Sequence, residues 1–161
     1  MSAANQSPQP SLPYLQYRLI HDIYVFLDAG DTIALGDYQV TPSQFTLLML
    51  LDTGEGQNLI RLAERMLVAR STITRLIDQL ESMGLVSRVT DPFDRRALRV
   101  ALTRAGESLR KQAYTAHERS LSHRFAALCE EDQAQLQELL KKLRDSLLEG
   151  ITQPPAIDVE R

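Results

Sequence analysis

Apolar residues recur at helical spacing from near the start of the chain. Leu12, Leu15, Leu19, Ile23, Phe26 and Leu27 predict a first helix over about 12–27. The stretch that follows, DAGDTIALGDYQV, carries two glycines and predicts a loop with a short turn of helix. A second helix opens at TPSQFTLLMLL: Thr41 suits the N-cap, Pro42 the first helical position, and Gln44 the far corner of a capping box. The glycines of DTGEG end it.

The next segment changes period twice. Leu59, Leu62, Ala63 and Met66 form the inner face of a short helix, and a turn follows around Leu67 and Val68. Ile73, Leu76, Ile77 and Leu80, at i, i+3, i+4 and i+7, form the inner face of another helix, which Gly84 stops. Two short helices joined by a tight turn make a helix-turn-helix. The opposite face of its second helix carries Ser71, Thr74, Arg75 and Asp78, with Arg70 and Thr72 at the start. Short polar groups and arginine there suit a recognition helix in a major groove; a plain solvent face is the other reading. LVSRV reads as a strand, TDPFDRR as a turn, and ALRVALT as a second strand with Leu98, Val100 and Leu102 on one face. A helix-turn-helix followed by a β-hairpin is a winged helix. Arg95, Arg96 and Arg99 crowd around Asp94 at the wing. From there they can reach the DNA backbone or minor groove, with Asp94 holding an arginine by a charge-assisted hydrogen bond.

Thr103 is placed to cap a long helix over about 104–128, with Leu109, Ala113, Ala116, Leu121, Phe125 and Leu128 as its apolar residues. CEEDQ breaks the chain before a last helix. That helix carries the stripe Leu136, Leu139, Leu140, Leu143 and Leu147, and ends at Gly150 and two prolines. The first and the last two helices lie outside the winged-helix core and have apolar stripes to bury. Packing on a second copy, through Leu15, Leu19 and the leucine stripe, is the expectation; packing within one chain is the alternative. The expected fold is mainly α with a small β-hairpin wing (α+β): a winged helix-turn-helix with N- and C-terminal dimerisation helices. The expected organisation is a disordered leader over 1–11, an N-terminal helix of the dimerisation region over 12–40, a DNA-binding domain over 41–102, C-terminal dimerisation helices over 103–150 and a tail over 151–161.

Composition adds charge segregation. The 161-residue chain has a net charge of -3. Residues 61–110 nevertheless hold ten arginines and no lysine against six acids, a local +4 that leaves -7 for the rest. Arginine bonds phosphate and guanine edges in a bidentate fashion, so the window points to double-stranded DNA as partner. No apolar run approaches the roughly 20 residues of a membrane span, so no membrane partner is expected. The start of the chain is polar and Pro-rich and does not read as a secretory signal, which leaves the cytoplasm as the expected compartment. No phosphate-binding glycine loop, nucleophile motif or framed carboxylate pair is present, so neither an enzyme nor a cofactor is expected. His21, His117 and His123 are too scattered to predict a metal site. The single cysteine, Cys129, excludes an internal disulfide and reads as structural, because Glu130, Glu131 and Asp132 oppose a thiolate.

Three segments, TPSQFTLLMLL, LAERMLVARSTITRLIDQLESMGLVSR and above all DPFDRRALRVALT, resemble the MarR family of bacterial transcription regulators over about residues 12–150. The last segment is similar to the family's wing signature, an Asp-x-Arg followed by Leu-Thr, here Asp94, Arg96, Leu102 and Thr103. The resemblance implies an obligate homodimer on a pseudo-palindromic operator, typically a repressor released by a small, often aromatic, ligand or by oxidation. It assigns Arg96 to the minor groove and places an effector pocket between the helical platform and the winged helix. Tyr17, His21, Tyr24, Phe45 and Met49 are the candidates there, with plain core as the competing reading. Leu67 stands where the family's turn has glycine, and Ala69 where the recognition helix has a polar N-cap. The expected result is a weaker cap, or one supplied late by Ser71. The chain has no tryptophan and no cysteine in the first helix, which separates it from the urate-responsive and peroxide-sensing branches. A winged-helix protein–protein adaptor is the alternative function; it leaves the wing arginines without a role.

Overall fold

The computed structural model describes residues 9–52, 54, 56–91 and 98–152. Most of the expected leader, nearly all of the tail and the wing tip with Asp94, Arg95 and Arg96 lie outside the described residues. In order come α1 (Leu12–Leu35), a 3-10 turn (Gly36–Tyr38), α2 (Pro42–Leu50), β1 (Gln57–Asn58), α3 (Leu59–Met66), α4 (Arg70–Ser82), β2 (Val86–Thr90), β3 (Leu98–Leu102), α5 (Arg104–Phe125) and α6 (Glu130–Thr152). The chain divides into two compact units at Ser120.

In the first unit, α1 runs a full two turns beyond its expected end, through Gly30 to Leu35. A helix-interior glycine costs only about 1 kcal/mol relative to alanine. The extension offsets that cost: Leu35 is fully buried, and Asp31 meets His117 Nε2 of α5 at 3.0 Å. The capping box of α2 forms as read. Thr41 Oγ1 accepts from Gln44 N–H at 3.2 Å, and Gln44 Oε1 accepts from Thr41 N–H at 2.9 Å. Gln44 is buried, and its Nε2 donates to Gln79 Oε1 of α4 at 3.2 Å.

The core gathers Leu47, Leu48 and Leu51 with Leu62 and with Ile73, Ile77 and Leu80 of α4, all at most 1 % exposed. Between α3 and α4, Leu67 adopts the left-handed conformation (φ 53°) that usually selects glycine. The turn is held by Leu67 N–H to Glu64 O and Val68 N–H to Ala63 O. No side chain caps α4 at Ala69, so the weaker cap is the one observed and Ser71 supplies none.

The sheet has three strands, ordered β1-β3-β2, where two were expected. β1 pairs antiparallel with β3, Gln57 opposite Val100 and Asn58 opposite Arg99. The hairpin pairs Val86 with Leu102 through to Thr90 with Leu98. Val100 is fully buried, but Leu98 is 49 % exposed rather than sharing its buried face. Leu98 and Thr90 form the last described pair before the tip, and both are exposed.

Thr103 closes the junction of α4, β2, β3 and α5. Its hydroxyl donates to Gly84 O at 2.7 Å and accepts from Gly106 N–H at 3.0 Å, while its own N–H donates to Leu85 O at 3.1 Å. The helix can approach this closely only because residue 106 is glycine: a Cβ there would lie 1.9 Å from Leu85 O.

In the second unit, α5 ends at Phe125, three residues before its expected end, and α6 follows from Glu130. Gln133 Nε2 donates to the carbonyls of Phe125 (3.2 Å) and Leu128 (3.0 Å), groups that the end of α5 leaves over. Glu130, Glu131 and Asp132 sit at the positive end of the α6 dipole. The Glu131 carboxyl is held below its ordinary range by its own backbone N–H and by the Cys129 thiol. Leu139, Leu140, Leu143 and Leu147 of α6 are exposed.

The Thr103 junction generates a stability prediction. Gly106→Ala should destabilise by about 2 kcal/mol or more, because a backbone carbonyl has to move. Gly36→Ala, with helical dihedrals and nothing within 4 Å of the added carbon, should be neutral or slightly stabilising. Urea denaturation of both variants checks this, and equal midpoints would contradict it.

Candidate nucleic-acid interface

Burial of Ile73, Leu76, Ile77 and Leu80 fixes the rotation of α4 about its axis. Ser71, Thr74, Arg75 and Asp78 therefore face outward and are exposed, as is Arg70, while Thr72 is half-buried. Thr74 Oγ1 donates back to Arg70 O at 3.0 Å, which orients its hydroxyl and leaves the oxygen able to accept. Arg70 and Arg75 form no ion pair among the described residues. The start of α4 thus presents two guanidinium groups and two hydroxyls on a rigid element.

Asp78 has a different environment. Arg88 of β2 donates to Asp78 Oδ1 at 2.5 Å and pairs with Glu81 through its other terminal nitrogen. The Arg88 backbone N–H also donates to Glu81 Oε1 at 3.2 Å. The Asp78 hydrogen bond raises the Arg88 pKa above its already high value; partial burial opposes this, and the charges of Glu81 and Asp78 add to it. Sequence reasoning placed Asp78 on the outward face and missed this partner.

The arginine window sorts in the same way. Arg65 donates to Gln57 Oε1 at 3.4 Å, Arg99 to the buried Asp91 at 2.5 Å, and Arg110 to Leu51 O, beyond the end of α2, at 2.7 Å. With Arg88, these four take part in the fold. The sequence groups Arg99 with the crowd around Asp94; the residue lies on β3 with Asp91 as a bonded partner. Arg61, Arg70, Arg75 and Arg104 are exposed.

The effector candidates fall in several places. Tyr17, His21 and Tyr24 are exposed on α1, and the rings of Tyr17 and His21 lie 6.5 Å apart. Phe45 is buried in the core, its ring 5.1 Å from that of His117. Met49 lines a 320 Å³ depression with Glu107, Arg110, Lys111 and Tyr114. The structure therefore pairs Tyr17 with His21 and Phe45 with His117, and His117 is the residue that sequence reasoning missed. Its position four after the buried Ala113 was the available signal. Of the candidate dimerisation residues, Leu15 and Leu19 are exposed on α1, and Leu136 of α6 is half-buried beside its exposed neighbours. Among the described residues no cluster of three or more His, Cys, Asp or Glu could hold a metal ion, and no helix is long and apolar enough to cross a membrane.

A model of the MarR family matches residues 40–98, from the start of α2 into β3. The HTH-type transcriptional regulator YsmB of Bacillus subtilis (strain 168) is 34 % identical over 113 residues, covering 70 % of this chain and 77 % of that protein. YkoM of the same organism, also an HTH-type transcriptional regulator, is 33 % identical over 106 residues, covering 66 % and 69 %. Among solved structures, a mutant MarR from E. coli complexed with operator DNA is 26 % identical with a TM-score of 0.76, covering 85 % of this chain and 99 % of that one. CouR from Rhodococcus jostii RHA1, bound to p-coumaroyl-CoA, is 25 % identical with a TM-score of 0.69, covering 96 % and 100 %. With its winged helix-turn-helix and these relatives, the chain belongs to the MarR family of DNA-binding transcription regulators, which are not enzymes.

Proposed function

We propose that the protein is a cytoplasmic, homodimeric repressor that binds a pseudo-palindromic operator and is released by a small aromatic ligand. The observation that carries this reading is the exposed start of α4, where Arg70 and Arg75, without an ion pair among the described residues, stand beside Ser71 and Thr74 on a helix whose other face is locked in the core. A helix so presented suits a major groove about 12 Å wide. The wing adds the minor groove through Arg96, with Asp94 orienting the guanidinium and Arg95 beside it. A fold of this kind engages operator DNA in the E. coli MarR complex, which supports the same use here.

A palindrome read by two α4 helices needs them about 34 Å apart, and hence two subunits. The apolar faces of α1 and α6, with Leu15, Leu19, Leu139, Leu140, Leu143 and Leu147 exposed in the single chain, supply the means. The ligand reading rests on the CouR complex and on the aromatic and imidazole groups of Tyr17, His21, Tyr24 and Phe45 with Met49. An adaptor function has no comparable support, since it leaves Arg70 and Arg75 idle.

Four outcomes test the reading. Arg75→Ala should weaken binding to an operator duplex by about 1–3 kcal/mol and binding to random duplex far less, if it reads a guanine edge. Titration on both duplexes checks this, and equal losses would demote Arg75 to a phosphate contact. At the wing, Arg96→Ala should lower the salt exponent of operator binding by about one per contact, two per dimer. Asp94→Ala should weaken binding although it removes a negative charge; tighter binding would show that Asp94 orients nothing. Replacing Leu139 and Leu143 together with glutamate should abolish the dimer and operator binding. Sedimentation of the wild type as a stable monomer at micromolar concentration would refute that assembly.

A further inference from the structure

The Arg88 bridge joins the two elements that the proposed reading places in adjacent grooves. Arg88 lies in the middle of β2, the strand that leads to the wing tip, and its side chain is only 25 % exposed. Asp78 and Glu81 both belong to α4, three residues apart and about one and two turns beyond Arg75. The contact fixes backbone as well as side chain, because Glu81 accepts from the Arg88 main-chain N–H and also pairs with its guanidinium. Further along the hairpin, Thr90 and Leu98, the last described strand pair, are exposed, while Asp91 is buried against Arg99. Buried Val86 and Val100 anchor the base of the wing, and the Arg88 bridge is a polar tie from the wing strand to α4. The bridge has an electrostatic effect too. Asp78, 58 % exposed on the outward face of α4, would repel phosphate if its carboxylate stood alone.

We propose that Arg88 is a positioning residue for DNA recognition: by bridging Asp78 and Glu81 it holds the wing at the spacing from α4 that lets both engage one site at once. The inference rests on the reading of α4 and the wing as the DNA-contacting elements. Arg88 need not touch DNA in this role. What it confers is specificity, the ratio of operator affinity to random-duplex affinity, since random DNA can be held by either element alone.

The experiment uses the full chain. Wild-type protein first selects a duplex from fragmented genomic DNA; its affinity for that duplex and for a random duplex of equal length is then measured for Arg88→Met, for Asp78→Asn with Glu81→Gln, and for the triple variant. Melting temperatures are taken alongside. The proposal expects the specificity ratio to fall roughly tenfold in both the arginine and the acid-pair variants, and no further in the triple variant, because all three break one bridge. The acid-pair variant is the discriminating one. If charge alone mattered, it would bind both duplexes more tightly with an unchanged ratio, and the proposal would fail. Equal loss on both duplexes in Arg88→Met, with or without the acids, would make Arg88 a direct phosphate contact and also overturn it. If Arg88→Met does not fold, the acid-pair variant alone decides between an altered and an unaltered ratio. Failure of the wild type to select any duplex would instead refute the DNA-contact reading beneath the proposal.

Discussion

Thr103 holds together the parts of the winged helix that have to move as one. With one hydroxyl and one amide it bonds Gly84 at the end of α4, Leu85 at the start of β2 and Gly106 in the first turn of α5, while itself following β3. The glycine at 106 is the other half of the constraint, because no side-chain carbon fits against the Leu85 carbonyl. This gives a physical reason for the Leu-Thr of the wing signature. The threonine is a joint between α4, the wing and the long helix that follows, and the leucine before it packs half-buried against the core.

The arginines explain how an acidic chain can present a basic surface. A count by sequence window treats ten of them as equivalent, and the structure divides them. Arg65, Arg88, Arg99 and Arg110 satisfy acceptors on Gln57, Asp78 and Glu81, Asp91 and Leu51 respectively, so their charge serves to fasten β1, β2, β3 and α2 to their neighbours. Arg70 and Arg75 remain outward at the start of α4. Exposed charges of this second kind, Arg61 and Arg104 among them, are the better placed to release counterions from DNA. The number of phosphate contacts expected from this protein is accordingly smaller than its arginine content suggests.

How far the sequence could be read depended on whether a feature was local. The α2 capping box, the inner face of α4 and the Gly84 stop are each written within a few residues, and all formed as expected. The true end of α1 is hidden because Gly30 looks like a stop, and nothing local shows that Leu35 has a core to enter. β1 has two residues and hence no period; it exists because β3 has a free edge beside it. The Arg88 bridge spans seven and ten residues and becomes visible only when β2 is known to fold back along α4. Nothing local to His117 points to its neighbours, which are Asp31 and Phe45 on two other helices.

The central claim is that α4 and the wing read adjacent grooves of one duplex, twice per dimer. Chemical footprinting reports on it directly. Protection of guanine N7 probes the major groove and protection of adenine N3 the minor groove, so one experiment on the selected duplex sees both elements. The account predicts two patches of N7 protection about 10 base pairs apart, or a multiple of one helical turn, each flanked by N3 protection where a wing lies. Protection of a single unpaired patch, or of the major groove with no flanking minor-groove signal, would contradict it.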